Sequence, residues 1–268
     1  MIDESASIDK LRWIMSKLRD PETGCPWDIK QDFASIVPYT LEEAYEVADA
    51  IERQDYPELE RELGDLLFQV VFYSQLGKEE QRFDFDSVVA AICEKLIRRH
   101  PHVFADKRFS TTEQIKANWE NEKIKERQLK HDQQSLSLLA DIPKNLPALS
   151  QAAKIQKRCA HVGFDWHNIH DVFDKVKEEV IEVEEELQRD PSAKNQALAE
   201  ELGDLMFAVV NVCRHAKQDP EALLRQANQK FTKRFQGVEK YVNDSSKPFS
   251  EHDLETLEEY WQQVKALE

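Results

Sequence analysis

Glycine is scarce in this chain, six residues in 268. So few disfavour a glycine-rich phosphate loop and a many-turned β architecture. Cysteine is thin as well: Cys25, Cys93, Cys159 and Cys213 stand apart with no CxxC spacing. That pattern predicts free thiols, a cytoplasmic setting and no zinc site. No signal-like apolar stretch opens the chain, and none approaches the roughly 18 residues that a membrane span needs. A basic excess is also missing, because 36 Lys and Arg face 52 Asp and Glu for a net charge of −16. Nucleic acid is therefore not an expected partner. An acidic protein that handles an anionic substrate needs local basic side chains and, as a rule, a bound cation.

What is present is helical spacing almost throughout, without convincing strand alternation. Ile8, Leu11, Ile14 and Leu18 open the pattern, and Leu41, Ala44, Tyr45, Val47, Ala48 and Ile51 continue it. Further segments near 58–76, 86–99, 112–128, 148–160, 169–189, 196–216, 219–242 and 251–267 predict an all-α chain of about ten helices. Residues 121–147 are charged and glutamine-rich and end in Pro143 and Pro147, which cannot sit inside a continuing helix. We place a linker at 129–147, between units 1–128 and 148–268.

The two halves resemble each other. LEEAYEV and RELGDLLFQVVF in the first half answer KEEVIEV and EELGDLMFAVV in the second. Downstream, KLIRRHPHVF answers NQKFTKRFQGV, and Trp119 answers Trp261. This is a duplicated domain.

Each copy carries two carboxylate pairs at a spacing of three, Glu43/Glu46 with Glu62/Asp65 and Glu179/Glu182 with Glu201/Asp204. Residues at i and i+3 share a helix face, and two such helices packed antiparallel would gather four carboxylates, as bundle metal sites do. No histidine or cysteine recurs beside them. An all-oxygen set selects Mg²⁺, or Mn²⁺, over zinc or iron. Plainer readings compete: Thr40 followed by Glu43 fits a capping box, and Glu184 to Glu186 fit a solvated acidic face. Against them, Asp65 and Asp204 lie in apolar runs expected to be buried, where a carboxylate needs a counter-ion. The capping-box reading does not carry over to Glu179, whose helix is expected to begin near 168–171, two turns earlier.

These residues resemble the all-α nucleoside triphosphate pyrophosphohydrolases, in the tandem arrangement of the MazG family. The resemblance extends over GCPWD (24–28), PYTLEE (38–43), ELGDLLFQVVFY (62–73), FDF (83–85), RRHPHVFAD (98–106), QKRCA and VGFDW (156–166) and YWQQVK (260–265). It implies Mg²⁺-dependent cleavage of nucleoside triphosphates between the α and β phosphates, to a monophosphate and pyrophosphate, with broad base specificity in nucleotide-pool housekeeping. It also implies a homodimer with helices packed across the interface.

On that reading Glu179, Glu182, Glu201 and Asp204 hold the metal, and Glu178 or Glu200 accepts the proton of the attacking water. Lys175, Lys230, Lys233 and Arg234 hold the phosphates; for Lys230 and Arg234 a solvated helix face is the alternative. Trp261 stacks on the base or belongs to the core. Lys95, Arg98, Arg99 and Trp119 are the weaker counterparts in the first half. His100 and His102 flank a proline and read as a turn rather than as metal ligands. The family pattern points to the C-terminal repeat for catalysis, with a second, weaker or structural site in the N-terminal one. One departure stands out: Glu46 and Glu62 lie sixteen residues apart, but Glu182 and Glu201 nineteen. A non-catalytic nucleotide or alarmone sensor, a purely structural dimerisation protein, and a dUTP- or phosphoribosyl-ATP-specific enzyme of the same fold are the rival readings.

Overall fold

The computed structural model describes residues 7–130, 137–245 and 247–267. Among them there is no strand. The chain divides into two compact units, Met1–Asp132 and Gln133–Glu268.

In the first unit α1 (Ile8–Leu18), a single turn α2 (Pro26–Ile29), α3 (Phe33–Glu52), α4 (Tyr56–Glu79), α5 (Phe85–Arg99), a second single turn α6 (Pro101–Phe104) and α7 (Thr112–Lys130) follow in order. The α3–α4 hairpin is its centre, and α1 closes one side. Met15 from α1, Ile36 from α3, and Val71, Phe72 and Leu76 from α4 are fully buried together. Each buried side chain of that size contributes about 1.5–3 kcal/mol. At the end of α1, Arg19 Nε donates to both carboxylate oxygens of Glu79 at 3.0 Å, tying α1 to α4.

The second unit repeats this plan with α8 (Ala148–His161), α9 (Ile169–Arg189), α10 (Gln196–His215), α11 (Pro220–Asp244), a short 3-10 turn at Phe249–Glu251 and α12 (Leu254–Ala266). Its hairpin is α9–α10, and α8 lies against α10. Gln156 of α8 donates from Nε2 to the Phe207 carbonyl of α10 at 2.8 Å. Residues 137–147, expected as linker, pack onto this unit: Ile142 is buried, and Arg158 donates to the Leu138 carbonyl at 3.0 Å and pairs with Asp141.

Helix starts follow side-chain chemistry. Asp55, Asn168 and Asn195 each accept from backbone N–H groups of the first turn of α4, α9 and α10. The α3 start differs from expectation. Its capping box is Asp32 with Ser35, so the helix begins two turns before Thr40 and runs through Pro38. Thr40 is internal; its hydroxyl donates back to the Ile36 carbonyl at 3.2 Å and meets the Tyr73 hydroxyl at 3.0 Å. Glu43 is therefore mid-helix and does not cap anything.

Candidate active site

Long amphipathic helices joined by short turns set the carboxylates face to face. The first turn, residues 53–55, closes with Gln54 at φ 57°, and the longer second one, 190–195, closes with Ala193 at φ 54°. The three extra residues noted in the second copy thus lie in this turn, at the far end of the hairpin from the α9 start. Carboxylate oxygens of Glu179, Glu182 and Glu201 lie within 4.8 Å of one another, and so do those of Glu43, Glu62 and Asp65. Asp204 and Glu46 fall outside these groups; Glu46 remains bonded to Glu43.

Burial is uneven. Glu179 is 5% exposed, Glu182 and Glu201 are half-buried, and Asp204 is exposed. Asp65 is exposed too. The expectation that Asp65 and Asp204 sit inside buried helices fails because α4 and α10 leave an apolar face uncovered within each unit. Leu63, Leu67 and Val70 line one such face, and Leu202, Met206 and Val209 the other. Gly64 and Gly203 lie in the same runs with open space where a Cβ would stand. A second expectation, the solvated acidic face at Glu184 to Glu186, fails only at its last residue. Glu184 and Glu185 are exposed, but Glu186 is 7% exposed, paired with Arg189, with Oε2 lacking a partner.

The two clusters differ in counter-charge. In the second, Lys175 Nζ lies 2.8 Å from both Glu178 and Glu179. Those hydrogen bonds hold the ammonium above its ordinary pKa. Glu182 is raised from the usual carboxylate range by burial and by the charge of Glu179. In the first cluster the position matching Lys175 is Tyr39. Without an ammonium, Glu43 is pushed up to about 7, first by burial and then by the charges of Asp65 and Glu46. Glu62 moves the same way, by burial and by Glu46.

A divalent cation fits the second set on an observation of its own. Glu179 Oε2 is buried and has no partner, although Lys175 serves Oε1. An orphaned buried oxygen costs about 1–3 kcal/mol, more when charged, and a hard cation removes that cost.

The remaining predicted residues are placed as follows. Glu178 is exposed and ion-paired to Lys175, and Glu200 is exposed and accepts from Gln196 at 3.2 Å. Lys230 and Lys233 are exposed on α11. Arg234 stacks on Trp261 at 5.8 Å, and Trp261 packs on Phe231 at 5.0 Å. That ring is half-buried, part core and part surface. In the first unit Lys95 is exposed, and Arg98 and Arg99 are engaged by Glu122 and Glu126. Trp119 meets His100 edge-on at 5.3 Å. His100 ends α5 and His102 sits in α6, so the HPH segment is a turn, as read.

Sequence reasoning missed one structural clamp. Asp165 receives two bonds from Arg214, at 2.9 and 2.5 Å, and meets His215 Nε2 at 3.0 Å. The Arg214 hydrogen bonds hold the Asp165 carboxyl down at about 2. This fastens the loop before α9 to the end of α10. A fixed loop fixes the α9 register that carries Glu179 and Glu182.

Comparison with known proteins agrees with this duplicated arrangement. The profile of the MazG nucleotide pyrophosphohydrolase domain matches twice, at residues 31–104 and 168–243. The chain belongs to the MazG family. Both matches contain one hairpin and its carboxylate cluster. Relatives align along the whole length: a nucleoside triphosphate pyrophosphohydrolase of Escherichia coli is 54% identical over 97% of this chain and 98% of its own. The nucleoside triphosphate pyrophosphohydrolase/pyrophosphatase MazG of Thermotoga maritima is 40% identical over 96% and 95%. The uncharacterized protein YabN of Bacillus subtilis is 41% identical over 96% of this chain and 51% of its own length.

Proposed function

We propose that this MazG-family chain is a nucleoside triphosphate pyrophosphohydrolase that cleaves between the α and β phosphates in its C-terminal repeat. The observation that carries the assignment to that repeat is the Glu179 oxygen left buried without a partner, in a carboxylate cluster that also holds a lysine. The names of its full-length relatives support the activity.

Glu179, Glu182, Glu201 and Asp204 would hold Mg²⁺, or Mn²⁺, which when bound supplies charge neutralisation for the phosphates and acidity for the attacking water. Phosphoryl transfer asks little covalent chemistry of a protein, so positioning and charge dominate. Water attacks the α-phosphorus, the bond to the α–β bridging oxygen breaks, and monophosphate and pyrophosphate leave. Glu178 or Glu200 takes the water's proton. Glu178 is the one joined to the ligand set, through Lys175. Lys175, Lys230, Lys233 and Arg234 hold the phosphate chain against the acidic field of the protein. Trp261 stacks on the base; stacking suits any base, which fits broad specificity and pool housekeeping.

The active form in this proposal is a homodimer. Its support is the pair of uncovered apolar faces on α4 and α10, each with an open glycine that would let a second helix approach. The four cysteines are free, in keeping with a cytoplasmic setting. No helix among the described residues is long and apolar enough to cross a membrane.

The test is product analysis on a panel of ribo- and deoxyribonucleoside triphosphates, with Mg²⁺ and with EDTA. Metal-dependent monophosphate plus pyrophosphate is expected. Diphosphate plus orthophosphate would overturn the reading, as would tight binding without turnover.

A further inference from the structure

A cleft of about 310 Å³ lies in the first repeat between α1, the last turns of α4 and the start of α5. That volume is at the lower end of the range for small-molecule sites. Lys78, which lines it, stands thirteen residues beyond Asp65, about 20 Å along α4. The cleft is therefore separate from the carboxylate cluster.

Four charged side chains line it, two of each sign. Arg12 and Asp86 satisfy each other through a fork, Nη1 to Oδ1 and Nη2 to Oδ2, both at 2.9 Å, and the guanidinium lies over the Phe85 ring at 5.1 Å. Lys78 and Asp84 do not pair. Asp84 accepts from the Ser87 N–H at 2.8 Å as the cap of α5, and neither it nor Lys78 has an ion-pair partner among the described residues. An unpaired ammonium and an unpaired carboxylate on one cleft complement a ligand that carries both charges.

The neutral groups add a direction. Ser16 gives its hydroxyl proton to the Trp13 carbonyl at 2.7 Å, and Ser74, only 3% exposed, gives its own to the Val70 carbonyl at 2.7 Å. Gln75 donates from Nε2 to Glu79 at 2.8 Å. Each of the three is left with an oxygen that accepts. With Asp84 they form a set suited to an ammonium, which has three N–H donors and no lone pair. Trp13, which is exposed, and Phe85 supply aromatic surface beside them. The second repeat does not share this lining: where α4 has Ser74 and Gln75, α10 has Cys213 and Arg214, and Arg214 is bound to Asp165.

We propose that this cleft is a binding site for a free α-amino acid with a large apolar side chain. Asp84 and the acceptor oxygens take the ammonium, Lys78 takes the carboxylate, and the side chain lies on Trp13.

The test is titration calorimetry on the full-length protein with L-phenylalanine, L-tryptophan, L-leucine and L-methionine. At least one should bind with a dissociation constant of about 1 mM or lower. For the tightest binder, the amine that lacks its carboxylate and the acid that lacks its ammonium should each bind about tenfold more weakly. Lys78→Met should abolish the advantage over the amine and keep the advantage over the acid, and Asp84→Asn should do the reverse. Asparagine still caps a helix, so the second variant tests charge and not folding. Silence from all four amino acids overturns the proposal, as does binding that both variants leave unchanged. Glu182→Gln, which removes the proposed catalysis, should bind the amino acid as the parent does. A loss of binding there would put the ligand in the second carboxylate cluster and decide against this cleft.

Discussion

The two carboxylate hairpins have the same spacing of acids on the same pair of helices, yet different surroundings. In the second, Lys175 bridges Glu178 and Glu179, and one oxygen of Glu179 remains buried and unserved. In the first, Tyr39 takes the lysine's place, and Glu43 is driven up to about 7 by burial and by the charges of Asp65 and Glu46. A shared motif thus sets which acids meet. The cations around them set what the meeting can do.

The comparison can be broken most severely at Lys175. Lys175→Met removes the ammonium that touches the second cluster. On the scale typical of lost electrostatic contacts in phosphoryl and acyl transfer, kcat/KM should fall by about 10². Steady-state kinetics check it, and a rate within twofold of the parent would show that the lysine is only a structural counter-ion.

A next test reaches the loop clamp. Asp165→Ala leaves Arg214 and His215 half-buried without their acceptor, and should lower the unfolding free energy by about 1–3 kcal/mol. Urea denaturation reads this directly. The clamp also has a pH signature. Its carboxyl sits at about 2, below the ordinary 3.8, so its contribution is complete above about 4 and is lost as pH falls through 2. The parent should show that acid loss, and the variant should lack it.

The first cluster should behave oppositely in the absence of metal. Glu43 is raised from 4.5 to about 7, so the folded state holds a proton that the unfolded state has released between those values. The contribution of Glu43 to stability is therefore complete below about 4.5 and is lost as pH rises through 7. Thermal melts of the chain in EDTA, with and without Glu43→Gln, isolate this slope. A steeper fall in the variant would contradict the assignment.

The smallest effect is expected at Glu186, which stands where the first repeat has the buried Ala50. A buried carboxylate with one unserved oxygen contributes little net stability. Glu186→Ala should change activity less than about twofold and stability by less than about 1 kcal/mol. A large loss of rate would make it part of the site.

Much of this was legible beforehand. Asn168, Asn195 and Pro220 mark helix starts through backbone chemistry that works locally, so those boundaries could be read from a few residues. Repetition of ExxD after EExxE pointed to both hairpins, and three of the four acids expected in each come together there. Thr40 misled because its spacing from Glu43 imitates a capping box, while the true one, Asp32 with Ser35, lies two turns earlier and ahead of Pro38, a residue that ordinarily interrupts a helix. Asp65 and Asp204 were expected in buried helices, since an apolar run shows only that a face needs covering and not what covers it. The Asp165–Arg214 clamp and the Arg99–Glu126 bridge join residues 49 and 27 positions apart, and no local periodicity reports such pairs.

The central claim, that one repeat performs the chemistry, is tested most directly by comparing Glu182→Gln with Glu46→Gln under saturating Mg²⁺ and nucleoside triphosphate, measuring pyrophosphate release. Glu182→Gln should fall to the uncatalysed background while Glu46→Gln keeps a rate within about twofold of the parent. Normal turnover by the Glu182→Gln protein, or an equal loss in both, would contradict the account.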